Sequence, residues 1–375
     1  MVEPSFFVDA LLANGVDFFT GVPDSLLKDF CACVADRMPR TGHVVAANEG
    51  GAVALAVGHH LATGRQALVY MQNSGQGNAV NPLLSLADPE VFGIPLVLLV
   101  GWRGEPGTDD EPQHVKQGKV TLDLFRALGV PHAILPDDAA GARACVDHAA
   151  RSARAASGPF AIVVRAGTFG AYKQRKKSGE IYELNREGAL KVVVPALADS
   201  TVVVSTTGKL SRELFELREG TGASHRADFR TVGSMGHASQ IALGLALGRP
   251  ECRVCCLDGD GALIMHLGAL AIIGVEKPAN LTHIVINNGA HDSVGGQPTA
   301  GFEIDLAAVA KACGYRTALV ARTTTEIQAA LETVKQLDGP ALLEIRVNVG
   351  ARADLGRPSA TPAANKAELM EYLRA

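Results

Sequence analysis

Short runs of apolar residues alternate along the chain with longer stretches in which apolar positions recur every three to four residues. The short runs predict β-strands and the longer stretches predict amphipathic helices. The predicted strands cover residues 17–20, 44–47, 67–71, 96–100, 160–164, 201–205, 253–257, 283–286, 317–320 and 341–347. The predicted helices cover residues 5–13, 26–37, 50–62, 210–219, 238–247, 263–274, 306–313 and 325–336. Such alternation predicts parallel sheets with helices on both faces.

The alternation is interrupted once, by a basic stretch that has little apolar periodicity. We therefore predict an α/β fold of two doubly wound parallel-sheet domains, residues 1–168 and 189–375, joined by a linker over residues 169–188. The linker carries Lys173, Arg175, Lys176 and Lys177, which we interpret as solvated charges. An anion-binding patch is the alternative.

Composition narrows the classes of function. Hydrophobic residues make up 47% of the chain, which is enough for large cores, and the net charge of −4 argues against a nucleic-acid or membrane-surface protein. No leader peptide and no membrane span is evident, so we expect a cytoplasmic protein. Cys252 and Cys255 form a CxxC pair, but they lie at an apolar run and predict a buried strand rather than a metal or redox site.

The sequence around Asp260 carries the strongest chemical signal. A predicted strand runs into Gly259-Asp260-Gly261, and after one helix the next strand runs into Asn287-Asn288. The carboxyl ends of neighbouring parallel strands share one sheet edge, where ligands of open α/β sheets bind. Asp260, Asn288 and the Ala290 carbonyl could then supply oxygen ligands to Mg²⁺. Two unrelated turns are the alternative.

Gly-Asp-Gly followed after 25 residues by Asn-Asn resembles the metal–diphosphate motif of thiamin diphosphate enzymes. The resemblance implies two domains of the predicted kind, which bind the pyrimidine and the diphosphate in turn. It also implies that Gly259, Asp260, Gly261 and Asn288 bind the cofactor and its divalent cation. About 20 residues separate the domains, which leaves no room for the central domain of the larger family members.

Other segments match the same family. Glu49 follows the second predicted strand, where the family places the acid that hydrogen-bonds N1′ of the aminopyrimidine and promotes the imino tautomer. Without the resemblance, a glutamate favoured by a helix N-terminus would be the better explanation of Glu49. Ser234 and Met235 resemble the segment that places a bulky apolar residue beneath the cofactor; a core methionine is the alternative.

The loop after the strand at 67–71 begins like a dinucleotide fingerprint. Val80 occupies the position of the third glycine, so the pattern favours contacts to the aminopyrimidine or the substrate, through Ser74 and Gln76, over a nicotinamide site.

Five segments, at residues 21–25, 72–82, 101–106, 111–114 and 354–358, resemble the phosphonopyruvate decarboxylase family. The resemblance implies decarboxylation of 3-phosphonopyruvate to phosphonoacetaldehyde, with sulfopyruvate decarboxylation as the alternative. It also implies that Asp24 and His114 move protons near the substrate, although a helix cap and a surface histidine would explain them too. A carboligase is disfavoured because the central domain is missing, and a non-catalytic protein is disfavoured because Glu49, Asp260 and Asn288 occur together.

The implied substrate is a small anionic 2-oxo acid. Its phosphonate needs cations or amide donors, for which the candidates are Arg103, Lys116, Lys209, Arg352 and Arg357. His291 and Ser293 follow the metal motif and are candidates to face the cofactor. The resemblance further implies a homodimer or higher assembly whose active sites lie between subunits, with no nucleic-acid or membrane partner.

Overall fold

The computed structural model describes residues 1–174 and 182–375, which form two compact units. Residues 1–174 form the first unit together with Val294–Gln297, and the remaining described residues form the second. The division falls inside the predicted linker. Of its basic residues, Lys173 is exposed, whereas Arg175, Lys176 and Lys177 lie outside the described residues.

The first unit contains a six-stranded sheet in the order β2-β1-β3-β4-β6-β5, and every pairing is parallel. Its strands are β1 (Val16–Gly21), β2 (His43–Val45), β3 (Gln66–Gln72), β4 (Leu96–Gly101), β5 (His132–Ile134) and β6 (Pro159–Val164). Its helices are α1 (Pro4–Ala13), α2 (Lys28–Arg37), α3 (Glu49–Thr63), α4 (Gln76–Pro82), α5 (Pro112–Ala127) and α6 (Ala139–Ala156).

Consecutive residues of the central strands are apolar, because both faces of this sheet are covered. Leu68 and Tyr70 of β3 belong to the core shared with α1, α2 and α6. Val69 and Met71 of the same strand belong to the core shared with α3, α4 and α5. The two-residue repeat of a strand thus supplies both cores, as expected of a parallel sheet.

The second unit repeats this architecture with the sheet order β11-β12-β10-β9-β7-β8, again all parallel. Its strands are β7 (Val202–Ser205), β8 (Asp228–Arg230), β9 (Val254–Gly259), β10 (Leu281–Asn287), β11 (Thr317–Ala321) and β12 (Ala341–Arg346). Its helices are α7 (Arg186–Ala196), α8 (Lys209–Thr221), α9 (Ala238–Gly248), α10 (Asp260–Met265), α11 (Ala269–Glu276), α12 (Leu306–Cys313), α13 (Thr324–Gln336) and α14 (Pro362–Tyr372).

Counted from the first strand of each unit, both sheets have the order 2-1-3-4-6-5. In each unit the chain leaves the first strand towards one side and returns to the third strand on the other side. Ligands of doubly wound sheets bind outside the carboxyl ends of the strands at such a reversal. The expected positions are the ends of β1 and β3 in the first unit and of β7 and β9 in the second.

The predicted fold class is confirmed, and all ten predicted strands are present within two residues at each end. The edge strands β5 and β8 were not predicted, because each is only three residues long and neither forms a clear apolar run. Of the CxxC pair, Cys255 lies in β9 and is fully buried, whereas Cys252 precedes the strand and is half-buried. No helix in the described ranges is long and apolar enough to cross a membrane.

The prediction of one helix over residues 263–274 is wrong. The chain forms α10 up to Met265 and begins α11 at Ala269, with the residues between them outside both helices. His266 leaves helical geometry with φ −131° and ψ 51°, and Gly268, a poor helix former, precedes α11. The break was hidden because apolar residues on both sides of it keep a helical spacing.

Candidate active site

Glu49 is a buried carboxylate at the first position of α3, directly after β2. Asn48 caps the helix by accepting the N–H of Gly51 at 2.8 Å, which fixes where the helix starts. The Glu49 side chain is only 5% exposed, and Asn78 of α4 donates to its Oε2 at 2.8 Å. A buried acid held by a single amide keeps lone pairs available for another partner.

The loop after β3 is pressed against this carboxylate. A Cβ atom at position 75 would overlap Glu49 Oε1, so only glycine allows the loop to pass here. Ser74 is exposed and its Oγ accepts the Gln72 amide at 2.7 Å. Ser74 therefore lies at the same edge of the sheet as Glu49, and the residue is exposed.

Gln76 points in a different direction from Ser74. It is 3% exposed, and its amide donates to the Thr121 carbonyl of α5 at 3.2 Å. Asn73, which is fully buried, donates to Thr121 Oγ1 and to the Arg103 carbonyl, both at 2.8 Å. These two amides anchor the loop to α5 and to the end of β4.

Asp24 lies in the turn after β1 and is completely buried. Its Oδ2 accepts the Leu26 N–H at 3.0 Å, whereas its Oδ1 has no hydrogen-bond partner among the described residues. Burial raises the pKa of Asp24 to about 6, although nearby Arg103 and backbone N–H groups lower it. A buried carboxyl with an open oxygen and a pKa near neutrality suits proton transfer.

Arg103 follows β4 and is held by Asp110 and by the residue next to Asp24. Its Nε donates to Asp110 Oδ2 and its Nη1 to Ser25 Oγ, both at 2.8 Å. Burial acts to raise the pKa of Asp110, but the hydrogen bonds from Arg103 and from the backbone lower it well below its usual range. The pair links the ends of β1 and β4 to the start of α5.

His114 lies in the first turn of α5 and is buried, and its Nδ1 has no hydrogen-bond partner among the described residues. Burial, assisted by the positive charge of Arg103, lowers the pKa of His114 to about 4. The imidazole is therefore neutral at physiological pH. Asp24 Oδ1 and His114 Nδ1 are thus among the buried unpartnered atoms of this unit, and both belong to residues that the sequence predicts for proton transfer.

The raised pKa of Asp24 has a consequence for stability. Its carboxyl has a usual pKa of 3.8, so the unfolded chain ionises first as pH rises, and the folded state loses stability between about pH 4 and pH 6. We predict that Asp24→Asn stabilises the cofactor-free protein by up to about 3 kcal/mol at pH 8 and by about half as much at pH 5. Asparagine keeps an oxygen for the Leu26 N–H.

Urea unfolding at the two pH values, followed by the fluorescence of Trp102, measures this effect. Trp102 is the only tryptophan and is buried in the same unit as Asp24. An equal gain in stability at both pH values would contradict the raised pKa.

In the second unit, Asp260 and Asn288 end adjacent strands. The register of β9 and β10 pairs Gly259 with Ile286, so the residues after these strands lie side by side. Asp260 is 2% exposed; its Oδ2 accepts the Thr299 hydroxyl, and its carboxylate also accepts the backbone N–H of Asn288. Burial raises the pKa of Asp260 to about 6. Asn288 Oδ1 accepts the Ala290 N–H at 3.1 Å.

Similarity to known proteins narrows the cofactor and the reaction that this geometry could serve. Residues 5–125 match the family described as thiamine pyrophosphate enzyme, N-terminal TPP binding domain, and residues 207–345 match its C-terminal TPP binding domain. A phosphonopyruvate decarboxylase of Streptomyces viridochromogenes is 36% identical over 97% of this chain and 93% of its own length. One from Streptomyces hygroscopicus is 36% identical over 96% of this chain and 92% of its own length.

The chain belongs to the phosphonopyruvate decarboxylase family. A sulfopyruvate decarboxylase of Methanosarcina acetivorans is more distant, at 28% identity over 82% of each chain. The protein is a thiamin diphosphate-dependent decarboxylase, and enzymes of this kind bind the cofactor together with a divalent cation.

The donor atoms present fit this cofactor. The second unit offers a carboxylate and an amide oxygen on one sheet edge, which are ligands that Mg²⁺ prefers. A Cβ atom at position 301 would lie 2.6 Å from both Asp260 Oδ2 and Asn287 Oδ1, so Gly301 leaves room beside the metal-type ligands. Asn287 itself donates to the Gly301 carbonyl and to Glu344. The Asn287 amide is therefore used to hold the loop that contains Gly301, which leaves Asn288 as the candidate metal ligand.

The segment with Ser234 and Met235 follows β8 and is held to the loop after β7, because the Gly233 N–H donates to Thr207 Oγ1 at 2.9 Å. Ser234 has φ of 49°, a left-handed conformation that is costly for a residue other than glycine. Ser234 is exposed and Met235 is half-buried, so neither belongs to the closed core.

The candidates His291 and Ser293 lie in the loop after β10. The His291 ring lies against Gly261 of the metal motif, and burial lowers its pKa to about 4. Ser293 Oγ accepts the Lys209 N–H at 3.4 Å. His291 therefore lies near the end of β9, and Ser293 lies near the end of β7.

This loop is fixed by ionic contacts that the sequence did not predict. Arg186 of α7 forms two hydrogen bonds with Glu213 of α8, at 2.7 and 2.8 Å, and a third with Asp292 at 2.9 Å. Burial acts to raise the pKa of Asp292, but Arg186 and Lys209 lower it. Charged residues this far apart in sequence carry no local pattern, and only the fold brings them together.

At least three of the five cations considered for the phosphonate have anionic partners among the described residues. Arg103 pairs with Asp110, Lys209 contacts Asp292, and Arg352 contacts Glu187, Glu216 and Asp354. Lys116 and Arg357 are exposed. Recruiting any of the first three would require breaking an existing ion pair.

Proposed function

We propose that this protein decarboxylates 3-phosphonopyruvate to phosphonoacetaldehyde and CO₂. The observation that carries the proposal is the 36% identity, over almost the full length of both chains, to two proteins named phosphonopyruvate decarboxylase. The sulfopyruvate decarboxylase of Methanosarcina acetivorans shares less identity over a smaller part of the chain. We also propose that the enzyme is cytoplasmic.

When bound, thiamin diphosphate supplies an electron sink for the bond pair released as CO₂ leaves. Glu49 would hold a proton at N1′ of the pyrimidine, a role supported by its burial and by its free lone pairs. Asp260, Asn288 and the Ala290 carbonyl would hold the divalent cation of the diphosphate, between Gly259 and Gly261 on one side and the loop after β10 on the other.

Other residues would shape the space around the cofactor. Met235 would support the cofactor from below, and Ser234 would fix the strained turn that presents it. Ser74 offers an exposed hydroxyl to the pyrimidine or the substrate. Gln76 would act indirectly, because its amide is engaged with α5 and anchors the loop that contacts Glu49.

Asp24 and His114 would handle protons during product release. Near neutral pH, the neutral His114 can accept a proton, while Asp24, with a pKa of about 6, can both give and take one. Their buried open atoms would face a substrate without competing hydrogen bonds from the described residues. This pairing of an acid and a base with opposite shifts is typical of groups that share proton transfer.

We further propose a homodimer or larger assembly in which Glu49 of one subunit acts with Asp260 of another. Support comes from exposed apolar residues on α3 and on the following segment of the same unit, which are Leu55, Leu61, Leu84, Val91 and Phe92. In the second unit, Leu247, Ile272 and Val275 are also exposed. Apolar surfaces of this kind are commonly covered by a partner.

Turnover of three 2-oxo acids tests the proposed substrate. With thiamin diphosphate and Mg²⁺ present, we expect kcat/KM for phosphonopyruvate to exceed that for pyruvate by about 100-fold, because charged hydrogen bonds to the phosphonate are worth roughly 1.5–3 kcal/mol each. Sulfopyruvate, with one charge fewer than a fully ionised phosphonate, should fall between them. A preference for sulfopyruvate, or equal use of pyruvate, would contradict the proposal.

A further inference from the structure

A buried polar cluster lies directly behind the metal-binding turn. Asp258 is the residue before Gly259 in β9, and His283 lies in the neighbouring strand β10, paired with Cys256. Asp258 and His283 are fully buried, and Tyr315, which follows α12, is 2% exposed. None of these residues touches the substrate or cofactor in the roles proposed above.

The polar atoms of the cluster lie in a row, joined by two hydrogen bonds and one ionic contact. Asp258 Oδ1 accepts the Gly259 N–H at 2.9 Å, and Asp258 Oδ2 lies 3.4 Å from His283 Nε2. The other ring nitrogen, His283 Nδ1, lies 3.3 Å from the Tyr315 hydroxyl. Within the described ranges, neither Asp258 Oδ2 nor His283 Nε2 makes a hydrogen bond, so two buried polar atoms face each other at 3.4 Å and each lacks a partner elsewhere.

The energetics of burial explain why these groups face each other. A carboxylate oxygen in a protein core without a donor is costly, because it has lost its hydration and gained nothing in return. The Nε2–H group of His283 is placed to supply that donor. The Tyr315 hydroxyl in turn fixes the ring by its contact with Nδ1, as outer partners commonly do for functional histidines.

A metal ion is a poorer explanation of the same cluster. Cys256, Asp258 and His283 place three potential ligand atoms within 4.8 Å of one another, but structural zinc requires four ligands. No fourth His, Cys, Asp or Glu joins this group within the described ranges. Burial also raises the pKa of the Cys256 thiol well above its usual value, which disfavours the thiolate.

We propose that His283 is a positioning residue for the metal-binding turn and acts through Asp258. The Asp258 carboxylate holds the peptide N–H that enters the turn, and His283 holds that carboxylate in one orientation. Asp260 follows two residues later, so its direction depends on this peptide. The inference rests on the proposed role of Asp260 as a ligand of the divalent cation.

Calorimetric titration of Mg²⁺ and thiamin diphosphate into purified variants tests this proposal without reference to any substrate. His283→Leu removes the ring nitrogen that faces Asp258, and we expect it to weaken Mg²⁺ binding by about 10-fold. This is the lower end of the effect of losing an outer partner of a metal ligand, because Asp258 is not itself a ligand. His283→Gln retains an N–H near the position of Nε2 and should bind within about threefold of the wild type.

Cys256→Ala is the matched control, because it alters the same sheet face opposite His283 without removing a donor to Asp258. It should lower the unfolding temperature and leave Mg²⁺ affinity unchanged. Tyr315→Phe, which removes only the hydroxyl, should weaken Mg²⁺ binding less than His283→Leu and provides a second variant if His283→Leu does not fold.

Two outcomes would overturn the proposal: a folded His283→Leu variant with wild-type Mg²⁺ affinity, or a His283→Gln variant as weak as His283→Leu. Asp260→Asn in the same titration separates the causes of failure. If Asp260→Asn abolishes Mg²⁺ binding while His283→Leu does not weaken it, only the positioning role fails. If Asp260→Asn binds normally, the proposed ligand role of Asp260 fails as well.

Discussion

Glu49→Gln is expected to lower turnover by at least about 100-fold while leaving the affinity for thiamin diphosphate nearly unchanged, because a positioned acid or base contributes roughly 100- to 10,000-fold to a reaction rate. Glutamine keeps the size of the side chain and an oxygen for the Asn78 amide, so the loop at Gly75 need not move. It cannot, however, exchange a proton with the pyrimidine. Steady-state kinetics and calorimetry on the same preparation measure the two quantities separately.

Glu326→Gln is the matched control for this prediction. Glu326 also lies in the first turn of a helix, α13, but it is exposed and contacts the Arg322 backbone. The control should turn over substrate at the wild-type rate. Wild-type turnover by Glu49→Gln would remove Glu49 from the mechanism, whereas a parallel loss of cofactor affinity would make its role one of binding.

Asp260→Asn is expected to weaken Mg²⁺ binding by at least about 100-fold and to abolish activity at ordinary Mg²⁺ concentrations, because the substitution removes the charged oxygen ligand itself. The amide can still meet the Thr299 hydroxyl, so the fold should survive. Asp305→Asn, which also neutralises one carboxylate but only at the N-cap of α12, should bind Mg²⁺ normally. Normal Mg²⁺ affinity in Asp260→Asn would exclude Asp260 as a ligand.

Glu49→Gln and Asp260→Asn together test whether the active site is shared between subunits. In a mixed dimer of Glu49→Gln and Asp260→Asn chains, a shared site built from the two intact residues exists once per dimer. Each mixed dimer should therefore have about half of the wild-type activity, and a co-expressed sample in which the chains pair at random should have about a quarter, although each variant alone is inactive. If each site used residues of one chain only, every site would carry a substitution and no activity would return.

The fold was predictable because the apolar pattern of a buried parallel sheet is strong and local. Strands such as β3 and β4 are apolar at almost every position, since residues facing either side meet a helical layer. The edge strands β5 and β8 lack that double burial and could not be recognised from their residues. The break between α10 and α11 was missed because apolar spacing alone does not record a local change of backbone direction.

The candidate site could be proposed from sequence where one short segment carries the residues of the motif. The composition of Gly259-Asp260-Gly261 and Asn287-Asn288, and their positions after predicted strands, can be recognised in the sequence. The structure places those strands, β9 and β10, side by side. The partners of these residues were not predictable. Thr299 reaches Asp260 from 39 positions away, and Asn78 reaches Glu49 from 29. Polar residues such as these become hydrogen-bond partners only in the folded structure, and no local sequence pattern identifies them.

The local sequence also could not show which basic side chains form ion pairs within the protein. Arg103 is a plausible phosphonate ligand by charge, yet its guanidinium is divided between Asp110 and Ser25. Ser25 is 78 positions away in sequence, and Asp110 is only one of several carboxylates within reach along the chain. Geometry, rather than residue type, therefore narrows the choice of substrate-binding groups.

³¹P NMR of phosphonopyruvate in the presence of the purified protein, thiamin diphosphate and Mg²⁺ tests the proposed reaction. We expect conversion of the substrate signal into that of phosphonoacetaldehyde and stoichiometric release of CO₂. We expect no conversion when the cofactor or the metal is omitted or when Glu49→Gln replaces the wild type. Persistence of the phosphonopyruvate signal in the complete mixture, with both cofactors shown to be bound, would contradict it.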